Sequence, residues 1–164
     1  MSLSFLSPSL CEPGTTTSPL RRALENADPA LVRDLWLDGV LEIRGDLNLV
    51  EPLPGENLVR LSARRGYLFT DDDPADAVER VRGRDVLAYD ATGALAGMAI
   101  QGEQLMRRLT DLDLERLPAA GPFARVTAIV LRDEGEQFRV YVAQELGHYV
   151  AEAVVDALAG LESQ

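Results

Sequence analysis

Residues 97–121 (GMAIQGEQLMRRLTDLDLERLPAAG) and residues 39–55 (GVLEIRGDLNLVEPLPG) follow one plan. In each, a strand-like run ends in a glycine, Gly102 or Gly45. An acid follows, Glu103 or Asp46, and a Leu-Pro pair closes the segment, at Leu117-Pro118 or Leu53-Pro54. What comes next also agrees. Strand-like runs at 57–62 and 66–70 lead into a helical pattern at 74–82, and runs at 124–131 and 137–143 lead into one at 144–161. Alternation with a period of two marks a strand, and a period near 3.6 marks a helix. Two copies are too few for a stacked repeat array, so the pattern predicts a duplicated domain. Strand, connector, strand, strand, helix in each half is the ferredoxin-like plan, an α+β fold with helices on one face of each antiparallel sheet.

The halves span 39–90 and 94–161 of a single domain at 39–164. The second half carries the fuller copy. In the first, residues 46–57 hold two prolines and are too short and broken for a full helix, so this half is expected to lack its first helix. Residues 84–90 (RDVLAYD) read as its fourth strand. Upstream, 1–17 is rich in Ser, Thr and Pro and is expected to be a mobile tail. Ser18-Pro19 and Asp28-Pro29 each place a capping residue before proline, which predicts N-terminal helices at 19–25 and 29–37 within a segment 18–38. Trp36 is read there as a packing residue.

Charge and cysteine usage exclude several classes. The net charge is −11, and all 16 basic residues are arginine. Such a chain repels nucleic acid and anionic membrane, so neither is expected as a partner. Cys11 is the only cysteine, which leaves no disulfide framework and no cysteine-based metal site. No apolar run approaches the length of a membrane span, and the N-terminus lacks a basic leader, so a cytoplasmic protein is expected.

Few residues offer chemistry. Asp71-Asp72-Asp73 lacks the glycine and late glutamate of a calcium loop, and Asp73 reads as a helix cap; no metal is expected. His148 falls on the outward side of the last helix with no orienting partner or nucleophile in view. The glycines at 93 and 97 come without the lysine of a phosphate-binding loop. One constellation remains. With Phe138, Val140 and Val142 facing the helices, Arg125, Thr127, Arg139 and Tyr141 share the opposite face. Arginine forks suit carboxylates, and tyrosine offers a stacking plane. Tyr67 and Phe69 could add aromatic surface from the first half. Such a face fits a flat, aromatic, carboxylate-bearing ligand. It fits equally a solvated face of cross-strand Arg–acid pairs, or a face buried against a partner.

Residues 85–93 (DVLAYDATG), then 98–110 (MAIQGEQLMRRLT) and 110–121 resemble the folate-binding domain of the glycine cleavage T-protein, the aminomethyltransferase family. Residues 125–132 (RVTAIVLR), 137–142 (QFRVYV), the closing helix and the Ser18-Pro19-Leu20 start resemble more closely the gamma subunit of heterotetrameric sarcosine oxidase. The resemblance covers 39–161. It implies two intertwined ferredoxin-like units, a tetrahydrofolate ligand and a place in one-carbon metabolism. It adds Asp90 to Tyr67, Arg125, Arg139 and Tyr141 as a cofactor-binding set. The family's catalytic aspartate would fall in the hairpin at 132–136 (RDEGE), a tight turn here, so the resemblance carries no catalytic residue to this chain. The expectation is a non-catalytic, folate-binding-type module. The alternative is a structural subunit of a hetero-oligomeric oxidase, or of another complex, with no ligand of its own. The partners implied are a folate, a second subunit or further copies of the chain. If the chain is an enzyme, it is expected to be aminomethyltransferase-like.

Overall fold

The computed structural model describes residues 18–35 and 39–162. The expectations for the tail at 1–17, for Cys11 and for Trp36 lie outside those residues.

The first half builds one sheet. Strands β2 (Gly39–Gly45), β3 (Asn57–Ser62), β4 (Arg65–Thr70) and β5 (Val86–Asp90) pair antiparallel in the order β3-β4-β2-β5. Helix α1 (Pro74–Val81) covers one face. Asp73 caps it, accepting a bond from the Ala75 amide at 2.8 Å. Between β2 and β3 there is a single 3-10 turn, Leu47–Leu49, capped by Asp46, where the second half has a helix. Two prolines within a dozen residues leave no room for more.

The second half builds the other sheet. Strands β6 (Leu95–Gln101), β7 (Ala119–Phe123), β8 (Val126–Arg132) and β9 (Gln137–Ala143) are joined by β1 (Val32–Asp34) in the order β1-β6-β9-β8-β7. Helices α2 (Glu103–Leu109) and α3 (Gly147–Glu162) lie over one face. The inner orders of the two sheets correspond: β5-β2-β4-β3 in one, β1-β6-β9-β8 in the other. Both are the antiparallel order of a ferredoxin-like unit, so the fold is duplicated as expected. The place β5 takes in the first unit is taken in the second by β1, from upstream of both. Strand β7 adds an outer edge to the second sheet.

This use of β1 corrects the reading of 18–38 as helices. The Asp28-Pro29 signal does form: Asp28 accepts bonds from the amides of Ala30, Leu31 and Val32. It holds one turn only. Val32 then pairs with Ile100, and the ladder continues to Asp34–Met98. The earlier segment also stays a turn. Leu20 donates to Ser18 Oγ and accepts from the Leu24 amide, with no helix propagated beyond. Short helices need tertiary support, and here the buried anchor is Leu20 alone in its turn.

Three apolar layers result. Phe138, Val140 and Val142 of β9 meet Val150, Ala151 and Val154 of α3 and Leu105 and Met106 of α2. Leu41, Ile43, Leu68 and Ala88 meet Ala77 of α1. The third layer lies between the sheets: Val40, Val59 and Phe69 of the first face Ile129, Leu131 and Tyr141 of the second. Each fully buried large side chain contributes about 1.5–3 kcal/mol, so this middle layer is what joins the two units.

Candidate functional site

The arginine–tyrosine face inferred for β8 and β9 is the face turned toward the first sheet. Alternation placed Tyr141 there correctly, but Arg125, read as part of the same face, lies in the turn before β8. Phe138, Val140 and Val142 are buried on the helix side, while Ile129, Leu131 and Tyr141 are buried on the other. What covers that second side is the chain's own first half. Tyr141 is 2 % exposed, and its ring centroid lies 4.4 Å from that of Phe69, the planes tilted by 38°. On its other flank lies Gly97. A Cβ there would sit 2.6 Å from Tyr141 Cε1, so only glycine admits the ring. A glycine inside a strand often marks such a close approach, and this was the signal in the sequence for the buried tyrosine.

Arg139 sits beside Tyr141 at the margin of this layer, with its side chain 18 % exposed. Burial works against its charge, but Tyr141 and the Asp133 carboxylate outweigh it and hold the guanidinium charged. Its Nε and Nη2 both donate to Asp133 Oδ1, at 3.1 and 2.9 Å. A cleft of about 170 Å³ opens next to it, lined by Leu31, Arg33, Leu35, Ala99, Asp133 and Arg139 among others. Small-molecule pockets are usually about 300–1,000 Å³, so this one takes a fragment and not a large cofactor.

Tyr67 lies half-buried at the other margin of the same layer. It stands in a cross-strand row, Val59–Tyr67–Glu42–Tyr89. Asp90, at the end of β5, is exposed, and its Oδ1 accepts the Thr92 amide at 2.9 Å. Thr92 Oγ1 in turn accepts the Val40 amide at 3.2 Å. Asp90 thus shapes the turn that leads from the first sheet to the second.

Arg125 is held apart from these. Phe123 pairs with Val126, and the two residues between, Ala124 and Arg125, have φ of 47° and 69°. This is a two-residue hairpin turn of the type that asparagine and glycine normally fill. Here tethers hold it instead. The Ala124 amide donates to Leu109 O at 2.7 Å, and Thr110 Oγ1 donates to Pro122 O at 2.5 Å. Arg125 then lines a cleft of about 670 Å³ with Arg107, Arg108, Tyr149, Glu152 and Asp156. Of the five residues named from sequence, Tyr67 and Tyr141 share the middle layer and Arg139 adjoins it. Asp90 and Arg125 stand elsewhere.

His148 is exposed and contacts Glu152 at 3.2 Å. Among the described residues no cluster of His, Cys, Asp or Glu could hold a metal ion. Among them also, no helix is long and apolar enough to cross a membrane.

Two antiparallel sheets of matching order, back to back with helices outside, define a duplicated ferredoxin-like α+β domain. The comparison with solved structures agrees. The chain is similar to one chain of "Heterotetrameric Sarcosine Oxidase from Corynebacterium sp. U-96 in complex with pyrrole 2-carboxylate", with a TM-score of 0.74 and 13% sequence identity over 88% of this chain and 95% of that one. At that identity the likeness is one of fold, and it matches the fold implied by the resemblance to the sarcosine oxidase gamma subunit. No protein-family model matches the chain, and no curated protein matches it by sequence.

Proposed function

We propose that this chain is a non-catalytic subunit of a hetero-oligomeric oxidase, of the sarcosine oxidase gamma type, working in the cytoplasm. The observation that carries the reading is the packed layer between the sheets. The face that could have received a ligand is occupied by Phe69, Val40 and Val59 of the same chain. The fold likeness supports it, since it runs nearly end to end in both chains and the neighbour comes from a heterotetramer. The hairpin that would hold a catalytic aspartate supports it too. Asp133 is committed to Arg139, and its amide donates to Gln137 O at 2.9 Å, so the carboxylate is not poised as a base.

A tetrahydrofolate-binding role in one-carbon metabolism is the second reading. What favours it is Arg139, charged, beside a tyrosine and a cleft. It requires the sheets to part.

The test is isolation of the tagged chain from its native source under low-salt conditions. The subunit reading expects a second polypeptide in fixed stoichiometry, with oxidase activity in the complex and none in the free chain. A lone monomer would contradict it.

A further inference from the structure

The chain is strongly acidic, yet one end of the first sheet is basic. Where β2 ends, the β3–β4 hairpin turns and β5 begins, Arg44, Arg64, Arg65 and Arg84 surround an open basin of about 680 Å³. All four are exposed. The carboxylates at this end of the sheet are Glu42, Asp46 and Asp85, and Asp46 is engaged in capping the Leu47–Leu49 turn, accepting the Asn48 amide at 3.0 Å. Glu42 is already engaged: its Oε1 accepts from Arg44 Nε at 2.9 Å and from Arg65 Nε at 2.8 Å. Arg64 and Arg84 have no side-chain partner among the described residues. Four guanidiniums against three carboxylates, on a chain of net charge −11, is a local inversion of sign.

The basin is also built rigidly. The Gly45 amide donates to Arg64 O at 3.0 Å, and the Asp46 amide donates to Asp85 O at 3.0 Å. Two neighbouring amides thereby tie the hairpin and the β5 entry to the end of β2. Gly45 has φ of 128°, and a Cβ on it would lie 2.1 Å from Asp85 O. Leu87, 50% exposed, lines the basin, and Leu61 of β3 and Tyr89 of β5, on the same sheet, are 38% and 47% exposed. Arginine and tyrosine are the residue types enriched at the centres of protein interfaces. The edge of β5 is closed to an incoming strand, since the Val86 carbonyl accepts the Gly83 amide and the Ala88 carbonyl accepts Arg82 Nη2. Recognition there falls to side chains.

We propose that this basin docks a carboxylate-rich segment of the partner subunit, with Arg64 and Arg84 as the charges that the segment neutralises and Leu87 and Tyr89 as its apolar seat. The proposal rests on the reading of the chain as a subunit. Charge complementarity argues for the occupant: two copies of this chain, each of net charge −11, repel one another at long range, whereas an acidic segment presented by a different polypeptide is drawn to the basin. Arginine forks bind carboxylates in pairs, which fixes register as well as attraction.

The test uses the purified complex and the double variant R64E/R84E, with R21E/R22E as a control at the exposed N-terminal turn. Equal thermal melting of the variants and the wild type confirms folding. The expected result is a loss of about tenfold or more in affinity for the partner with R64E/R84E, a flatter salt dependence, and no change with R21E/R22E. Synthetic hexaglutamate should compete with the partner for the wild-type chain and not for the variant. A complex that forms normally with R64E/R84E would overturn the docking site while leaving the subunit reading intact. So would an R64E/R84E-sensitive affinity for single-stranded DNA or inorganic phosphate with unchanged partner affinity. No complex with any version, the wild type included, would remove the subunit reading and this surface with it.

Discussion

The ring of Tyr141 rests on Phe69 across the boundary between the two sheets. One residue belongs to the second half and the other to the first, so this contact measures how firmly the halves hold each other. Phe69 is 1% exposed and sits among Val40, Ile129 and Leu131. Phe69→Ala should cost about 3–5 kcal/mol in urea unfolding, because a ring-sized cavity opens in a layer that other side chains cannot fill. Tyr141→Phe keeps the ring and loses only the hydroxyl with its hydrogen bond to Arg139, so it should cost less than Phe69→Ala.

Gly97 makes room for the same tyrosine. Gly97→Ala places a methyl against Tyr141 and near Leu35 Cβ, 3.3 Å away. Overpacking of this kind costs about 1–3 kcal/mol. The effect should shrink in a Tyr141→Leu background, since the clash is with the ring. A double-mutant cycle followed by denaturation checks it.

Two glycines with positive φ separate strain from crowding. Gly45 faces the Asp85 carbonyl, whereas Gly55, with φ of 92°, has open space where a Cβ would go. Gly55→Ala should cost only the backbone term, about 1–2 kcal/mol. Gly45→Ala adds a steric collision with backbone and should cost clearly more. Thermal melting of the two variants side by side reads the difference.

Glu42 sets a pH dependence. Burial alone would raise its pKa, but hydrogen bonds and charge from Arg44 and Arg65 hold it below the usual glutamate range. A carboxyl whose pKa is lowered by folding adds stability above its unfolded pKa of about 4.3, and that stability is lost as pH falls through the lower folded value. The wild type should therefore exceed Glu42→Gln in stability at pH 7, by about 0.2–1 kcal/mol given screening by solvent. The gap should shrink as the pH is lowered from 7 to about 3. Urea titrations of both proteins at the two pH values check it.

Much of this fold was legible because the strands alternate cleanly. Residues 57–62 and 137–143 read as strands with the bounds they have, and the inward and outward sets of β8 and β9 were assigned to the right faces. Two elements were not legible. Leu31, Val32 and Leu35 suit a helix or a short strand equally, and only pairing with β6, distant in sequence, decides for the strand. Strand β7 carries Gly121 and Pro122, residues that argue against a strand. It forms because it lies at the sheet edge, where a missing amide costs no ladder bond. The candidate site was half legible for a related reason. Alternation names a face, but what covers that face is a tertiary fact, and here the cover is the other half of the same chain.

A crystal soaked in tetrahydrofolate tests the central claim, that the face between the sheets is filled from within and the chain acts by assembly. The account predicts that the Phe69–Tyr141 contact stays closed at its 4.4 Å centroid distance and that no folate density enters the layer. Density for a pterin ring between Tyr67 and Tyr141, with Phe69 displaced and Arg139 turned from Asp133 to the ligand, would contradict it.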